Sequence, residues 1–326
     1  MARTGPLLRV GSTWTPAAPD LARAVRRLAV LSRREAAGAL AGGYRSAFRG
    51  GGIEFEESRP YAAGDDVRAI DWNAYARTGL AHVKHYREER DQTLLLLVDV
   101  SASMDFGTQG PSKAALAVRS AALLASAAGA AGDRVGLFSF DSALREEVPA
   151  ARGEAHRVAL LRALVAAGQP SAGTTALGSV LAAFQERVAR RALVFLLSDL
   201  RDDTLLEGGA AGRRTRAALA ALARRHDLIA GFVRDPRETT LPSAGTLRLA
   251  DPEAPAESWL LRTGSRRARE RYELTARVRE RSLERRLRAE GADWLVLGTE
   301  ADPLRALGRF FVQRAAMRAL ARGTKR

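Results

Sequence analysis

Three runs of apolar residues constrain the fold of this chain more than any other feature of its sequence. The runs are LLLLVDV at 94–100, ALVFLLSDL at 192–200 and DWLVLGTE at 293–300. A strand formed by any of them would be apolar on both faces, as in central parallel strands that helices cover on both sides. The sequence therefore predicts a sheet that is buried on both faces.

Segments rich in Ala and Leu alternate with these runs from residue 93 onward. The predicted strands lie at 93–99, 134–140, 191–198, 227–233 and 293–298. The predicted helices include 112–130, 154–167, 176–188 and 266–288. This alternation predicts an α/β fold with a doubly wound, mostly parallel sheet of the Rossmann type.

The segment before residue 93 has a different pattern and is expected to form an N-terminal helix and a small β extension. Asp20 is the expected cap of a helix whose apolar residues recur at helical spacing through Leu31. Gly-rich turns and two expected short strands, at about 53–57 and 80–86, follow it.

Composition excludes several kinds of function. The chain has no cysteine, which excludes a disulfide framework, a thiolate metal site and a thiol nucleophile. Its apolar runs are shorter than the ~20 residues that a membrane span needs, so we expect a cytoplasmic protein without a span. The formal charge of +15 would attract nucleic acid, anionic lipid or an acidic partner, and does not choose among them.

Polar residues follow the apolar strands at the point where each strand ends. Asp99 ends the first strand, with Ser101 and Ser103 at alternate positions after it, and Asp199 ends another. In an open α/β sheet, ligands bind at the carboxyl ends of the strands, where these residues would converge. Carboxylate and hydroxyl oxygens are ligands that Mg²⁺, Mn²⁺ or Ca²⁺ prefers.

A glycine-containing loop lies between these two strands in the sequence. It reads SAGTTALG at 171–178 and presents Thr174 and Thr175 at the start of a predicted helix. Three loops could thus bring two carboxylates and several hydroxyls together at one edge of the sheet.

This set of residues resembles the metal-ion-dependent adhesion site of von Willebrand factor A domains. The matching residues are Asp99, Ser101, Ser103, Thr175 and Asp199. The resemblance implies that the three hydroxyls contact the ion, that the two carboxylates act directly or through water, and that one coordination position stays open for a carboxylate from a partner. Many such domains read G-G-T-D where this chain reads GTTA at 173–176, so Thr174 remains an alternative to Thr175.

Residues 52–104 resemble the signature of the DUF58 family, whose members carry a domain of this kind. The matching residues are Glu54, Glu56, Arg59, Tyr61, Gly64, Asp65, Asp66, Arg68, Asp71, Trp72, Arg77, Lys84 and Glu89. RDPRE at 234–238 and GTLRLADPE at 245–253 also match. The charged signature residues could form an ion-pair network or a docking surface, and Tyr61 and Trp72 are expected to be packing anchors.

The expected domain organisation follows from these patterns. Residues 1–91 hold the N-terminal helix and the β extension with the signature, and 92–316 form the von Willebrand factor A-like domain. A hairpin is inserted near 234–261, and 317–326 are expected to be a frayed tail.

The resemblance implies a non-enzymatic, divalent-metal-dependent protein–protein interaction module. It would be an adaptor or co-chaperone of a MoxR-type AAA+ ATPase in the maturation of protein complexes, and would bind the ATPase or a client protein through an acidic residue. One alternative is a metal-dependent hydrolase that uses Asp99 and Asp199. Another is nucleic-acid binding through the predicted helix at 266–288, which holds ten Arg and four Glu.

Overall fold

The computed structural model describes residues 18–48, 53–62, 70–88, 92–108, 110–169 and 173–323. The helices of this part are α1 (Ala18–Glu35), α2 (Ala41–Phe48), α3 (Trp72–Thr78), α4 (Lys113–Ala131), α5 (Glu154–Ala167), α6 (Leu177–Arg187), α7 (Ala210–Arg225), α8 (Arg266–Ala289) and α9 (Pro303–Gly323). The strands are β1 (Ile53–Pro60), β2 (His82–Glu88), β3 (Thr93–Asp99), β4 (Arg134–Phe140), β5 (Leu144–Ala151), β6 (Leu193–Ser198), β7 (Asp227–Arg234), β8 (Thr246–Asp251), β9 (Ala254–Arg262) and β10 (Asp293–Gly298).

A six-stranded sheet forms the centre of the molecule. Its strand order is β10-β7-β6-β3-β4-β5, and every neighbouring pair is parallel except the antiparallel pair of β4 with the edge strand β5. Two separate antiparallel pairs of strands, β1-β2 and the hairpin β8-β9, lie outside it. The predicted α/β class with a mostly parallel sheet is therefore confirmed.

Both faces of the central strand β3 are buried, which explains its uninterrupted apolar run. Successive side chains of a strand point to opposite faces. Leu94 and Leu96 belong to the core beneath α1, α2, α4, α5 and α9. Leu95 and Leu97 belong to the core beneath α6, α7 and α8.

The N-terminal helices are part of the first of these cores. A five-residue π-helical segment, Ala36–Leu40, joins α1 to α2, and the two helices pack on α4, α5 and α9. The ring of Phe48 lies 5.2 Å from Phe311 of α9 and 5.8 Å from Phe195 of the sheet. Helix α1 begins at Ala18, so Asp20, the expected N-cap, lies inside its first turn.

The structure differs from the sequence prediction at two further places. Strand β5, which the sequence pattern did not predict, is made of exposed and half-buried residues and contains charged side chains and Pro149. Charges and proline are typical of edge strands, and they hide the apolar pattern of a strand. The segment 317–326 was expected to be a tail, but α9 continues through it as far as Gly323.

Helix α4 lies inside the first core. Among the described helices it is the one that is long and apolar enough to cross a membrane by length and composition, and 72% of its apolar window is buried in the protein. Ser112 caps its first turn by accepting the N–H of Ala115, and Gly132 ends it with a φ of 83°.

Buried His226, which follows α7, makes stability depend on pH. Its Nδ1 accepts the N–H of Ala192 at 3.2 Å, so the neutral ring carries its proton on Nε2. Burial, and then nearby Arg225 and Arg191, lower the pKa of His226 below its ordinary 6.5. The contribution of the neutral ring to stability is complete above the pKa that His226 has in the unfolded chain. It is lost as pH falls toward the lower pKa of His226 in the folded protein.

We therefore expect a shift from pH 7.5 to pH 5.5 to be less favourable to the stability of wild-type protein than to that of His226→Gln. Urea unfolding of both proteins at both pH values measures the difference, and groups such as Asp99 that titrate in the same interval affect the two proteins alike. Equal changes in the two proteins would contradict the role given to His226.

Candidate metal centre

Asp99 ends β3 at the middle of the sheet and is fully buried. Its Oδ1 accepts the backbone N–H of Ser101 at 2.9 Å, and its Oδ2 accepts the hydroxyl of Ser198 at 2.5 Å. A buried carboxylate requires such partners because it has left water. The carboxylate is thereby held in one orientation at the carboxyl edge of the sheet.

Ser101 and Ser103 follow Asp99 in a tight turn. Ser101 is extended, with φ −60° and ψ 164°, and leads into a single 3₁₀ turn, Ala102–Asp105. Both serines are buried, and their hydroxyl oxygens lie 3.2 Å apart. The turn therefore places the two hydroxyls side by side, as the predicted site requires.

Asp199 follows β6 and belongs to the same cluster. Ser103 lies close enough to contribute to the lowered pKa of Asp199, and Asp199 Oδ1 accepts the N–H of Arg201 at 3.2 Å. The intervening Leu200 is buried and has a φ of 54°, a left-handed conformation that costs a residue with a Cβ roughly 1 to 2 kcal/mol. Strain of this kind is often found at functional sites.

The glycine-containing loop reaches the same edge of the sheet. The carbonyl of Gly173 accepts the N–H of Ala102 at 3.0 Å, which joins this loop to the serine turn. Thr175 is buried and Thr174 is exposed. Of the two alternatives, Thr175 is therefore the one whose side chain faces the protein interior.

Thr175 is held by a residue far along the chain. Its N–H donates to Glu253 Oε2 and its hydroxyl donates to Glu253 Oε1, both at 3.0 Å. Glu253 lies at the tip of the β8-β9 hairpin. The sequence predicted a hairpin near this position but gave no sign of this contact.

A buried lysine, which sequence reasoning missed, lies against Asp199. The Nζ of Lys113 donates to Asp199 Oδ2 and to Glu238 Oε1, each at 2.6 Å, and the side chain is fully buried. Arg201 adds a second cation, with its Nη2 3.4 Å from Glu238 Oε1. The only sequence signals were a lysine at the start of an apolar helix and the RDPRE match.

Charge is unevenly distributed between the two aspartates. Burial, and then repulsion by Asp199, raise the pKa of Asp99 to about 7. Burial also opposes ionisation of Asp199, but the charge of Lys113 outweighs it and lowers the pKa of Asp199 below its ordinary value. Burial lowers the pKa of Lys113, and the attraction of Asp199 and Glu238 outweighs burial and raises it. Asp199 and Lys113 are therefore a charged pair, and Asp99 is the aspartate without a cation of its own.

The RDPRE segment holds the loop after the serine turn. Asp235 is fully buried, and its carboxylate accepts the N–H and the hydroxyl of Thr108 and the hydroxyl of Thr299. Glu238 accepts the N–H of Asp235 at 3.0 Å and also bonds Lys113. The motif thus fixes both the loop and the lysine beside the candidate site.

The donors suit a hard divalent cation. The hydroxyls of Ser101 and Ser103 lie 3.2 Å apart, with the carboxylates of Asp99 and Asp199 close to them, and such oxygens are ligands that a hard cation prefers. The described residues contain no cluster of three or more His, Cys, Asp or Glu side chains arranged to hold a metal ion.

Much of the DUF58 signature lies outside the described residues. This applies to Gly64, Asp65, Asp66, Arg68 and Glu89, and to the side chains of Glu54, Glu56, Arg59 and Lys84.

Asp71 accepts the N–H of Ala74 at 3.2 Å at the start of α3. Trp72 is 61% exposed and Tyr61 is 37% exposed, so the expectation that both are packing anchors was wrong. The ring of Trp72 packs edge-on against Tyr75 at the surface.

Four of the ten arginines of α8 are paired with acidic residues: Arg266–Glu270, Arg277–Glu273, Arg288–Glu284 and Arg279–Asp203. Glu280 of α8 pairs instead with Arg234 of β7. Part of the positive charge of this helix is therefore neutralised within the protein.

Comparison with known proteins gives relatives over most of the chain. The chain is 33% identical over 299 residues, 91% of its length and 90% of theirs, to the uncharacterized proteins Rv1480 of Mycobacterium tuberculosis (strain ATCC 25618 / H37Rv) and Mb1516 of Mycobacterium bovis (strain ATCC BAA-935 / AF2122/97). Among solved structures it is similar to the conserved hypothetical protein BatB from Bacteroides thetaiotaomicron, with 17% identity and a TM-score of 0.41 over 69% of this chain and 99% of that one. An aerotolerance-related membrane protein from Bacteroides fragilis NCTC 9343 gives 19% and 0.42 over the same shares. The model of a family described as "Protein of unknown function DUF58" matches residues 57–282, and the chain belongs to that family.

Proposed function

We propose that this protein is a protein-binding module of the von Willebrand factor A type whose binding depends on a divalent cation. The observation that supports it most is the convergence of the five predicted residues at one edge of the sheet. Asp99 accepts the N–H of Ser101, the hydroxyls of Ser101 and Ser103 are 3.2 Å apart, Ser103 lies close to Asp199, and the loop of Thr175 is bonded to the serine turn.

The proposed roles of these residues follow from their chemistry. Ser101, Ser103 and Thr175 would offer neutral oxygens to Mg²⁺, Mn²⁺ or Ca²⁺, while Asp99 and Asp199 would act directly or through water. When bound, the ion supplies an electrophilic centre for an acidic residue of a partner. Lys113 offsets the charge of Asp199 and leaves neutral donors to dominate the site.

The family resemblance suggests a MoxR-type AAA+ ATPase, or a client protein that presents an acidic residue, as the partner. The formal charge of +15 favours approach by an acidic surface. We propose an adaptor role in the cytoplasm, and binding rather than catalysis as the activity of the site.

Cation binding is tested by a pair of buried serines. Ser101→Ala removes a proposed ligand, and we expect the affinity for Mn²⁺ to fall at least about tenfold. The matched control is Ser120→Ala, because Ser120 is also fully buried but bonds the Leu116 carbonyl inside α4. Titration followed by electron paramagnetic resonance of free Mn²⁺ gives both affinities. Equal affinities in Ser101→Ala and wild type would show that the Ser101 hydroxyl is not a ligand of the cation.

Partner binding is tested with a purified MoxR-type ATPase from the same organism. We expect the complex to form with wild-type protein in Mg²⁺, and to be lost in EDTA or with Asp99→Ala. Surface plasmon resonance measures the three conditions, with Ser120→Ala as the folded control. Binding that is indifferent to EDTA but falls steeply with salt would contradict the proposal and indicate a purely electrostatic contact.

A further inference from the structure

We propose that Glu253, at the tip of the β8-β9 hairpin, supplies from within the chain the carboxylate that otherwise comes from a partner. A partner's acidic residue would then have to displace Glu253 before it could bind the ion. This inference rests on the proposed function, and it names the group that occupies and regulates the same site.

The contact between Glu253 and Thr175 carries the inference. Both carboxylate oxygens of Glu253 are engaged, one by the N–H and one by the hydroxyl of Thr175, at 3.0 Å each. Thr175 is the buried threonine of the loop and a proposed ligand. A cation held by the hydroxyl oxygen of Thr175 would therefore have this carboxylate as an immediate neighbour.

The hairpin turn is built to present Glu253. Asp251 and Ala254 pair across the turn, with Pro252 and Glu253 between them. Asp251 Oδ1 accepts the N–H of Glu253 at 2.9 Å, and Pro252 restricts the backbone before it. An aspartate and a proline thus orient the glutamate before any partner arrives, which lowers the entropic cost of holding it at the site.

Charge around the site favours the same arrangement. Asp251 lies close enough to Arg201 to help raise the pKa of its guanidinium, so the charge of the hairpin tip is felt at the site. In this part of the described structure, the carboxylates of Asp199, Glu238 and Glu253 outnumber the cationic side chains of Lys113 and Arg201. A divalent cation would offset the excess negative charge.

The side chains that the structure describes in the rest of the hairpin are weakly buried, so its tip can be displaced. The residues of β8 alternate between exposed and half-buried, and Trp259 and Leu260 of β9 are 54% and 72% exposed. The hairpin joins the body near Gly245, whose φ is 71° and whose carbonyl accepts the N–H of Gly264 at 2.9 Å. A two-stranded sheet of this kind has little stability of its own, so opening it costs little.

The test compares wild type, Glu253→Ala and Glu253→Gln by Mn²⁺ titration and water-proton relaxation, with acetate as the carboxylate probe. The control is Glu154→Gln, which removes the same charge from the start of α5. Because β5 runs antiparallel to β4, α5 begins at the amino ends of the parallel strands, away from the candidate site at their carboxyl ends. We expect both Glu253 variants to bind Mn²⁺ with a higher relaxation enhancement, because water enters the freed position. Acetate should suppress that enhancement at about tenfold lower concentration than in wild type and Glu154→Gln, because the competing carboxylate is gone.

The outcomes separate this inference from the proposed function. Identical relaxation and acetate response in wild type and in the Glu253 variants would overturn the inference and leave cation binding intact. Loss of all Mn²⁺ binding by folded Glu253 variants would make Glu253 a permanent ligand and would contradict displacement. Failure of wild type to bind Mn²⁺ would overturn the proposed function and this inference with it.

Discussion

Replacement of Lys113 by methionine should lower the free energy of unfolding by about 3 to 5 kcal/mol, the usual cost of removing one partner of a buried ion pair. The ammonium is fully buried and bonds Asp199 and Glu238 at 2.6 Å each. Methionine fills much of the same volume, so the loss comes from two carboxylates that keep their burial and lose their nearest cation, with the more distant Arg201 as the cation that remains. Urea unfolding at neutral pH measures the change.

A double variant provides the internal control for Lys113. Lys113→Met combined with Glu238→Gln removes one of the two abandoned carboxylates, so we expect part of the lost stability to return. A loss below about 1 kcal/mol for Lys113→Met would contradict the prediction, because it is the value typical of an exposed ion pair. Such a result would mean that water reaches the lysine.

Replacement of Phe311 by alanine should also cost about 3 to 5 kcal/mol, because it opens a cavity in a closely packed group of rings. Phe311 is fully buried in α9 and lies 5.9 Å from Tyr44 and 5.2 Å from Phe48 between ring centroids. These two residues belong to α2, so the cavity would weaken the packing of the N-terminal helices on the rest of the core. Urea unfolding again gives the change.

The neighbouring residue of the same helix is the matched control for Phe311. Val312 is 67% exposed, and Val312→Ala should change stability by no more than about 0.5 kcal/mol. A small loss for Phe311→Ala in a single cooperative transition would show that the rings repack. An early, separate transition in that variant would show that α1 and α2 detach as a unit.

The sequence predicted the residues at the strand ends because the information there is local. An apolar run that ends in Asp99, with hydroxyls at alternate positions, can be recognised within ten residues, and so can Asp199 after β6. Strand β5 was not predicted because its charges and proline mask the pattern. The exposure of Trp72 was not predictable either, because a large aromatic residue gives no sign of which side of a short helix faces water.

The contacts that complete the candidate site could not be read from the sequence. Lys113 bonds Glu238 across 125 positions and Asp199 across 86, and Thr175 bonds Glu253 across 78. Nothing near Lys113 indicates these partners, because they are brought to it by the order of the strands. Sequence reasoning therefore found the residues that resemble a known motif and missed the charged groups that surround them.

The long separations within the site also bear on how the protein folds. Ser198 bonds Asp99 across 99 positions, and this contact exists only when β6 lies beside β3 in the sheet. Contacts of this length form late, since the chain must first close the large loop between them. Uptake of a cation during refolding would therefore follow assembly of the central strands, and partly folded chains that expose apolar strand edges would not be able to engage an acidic partner through this site.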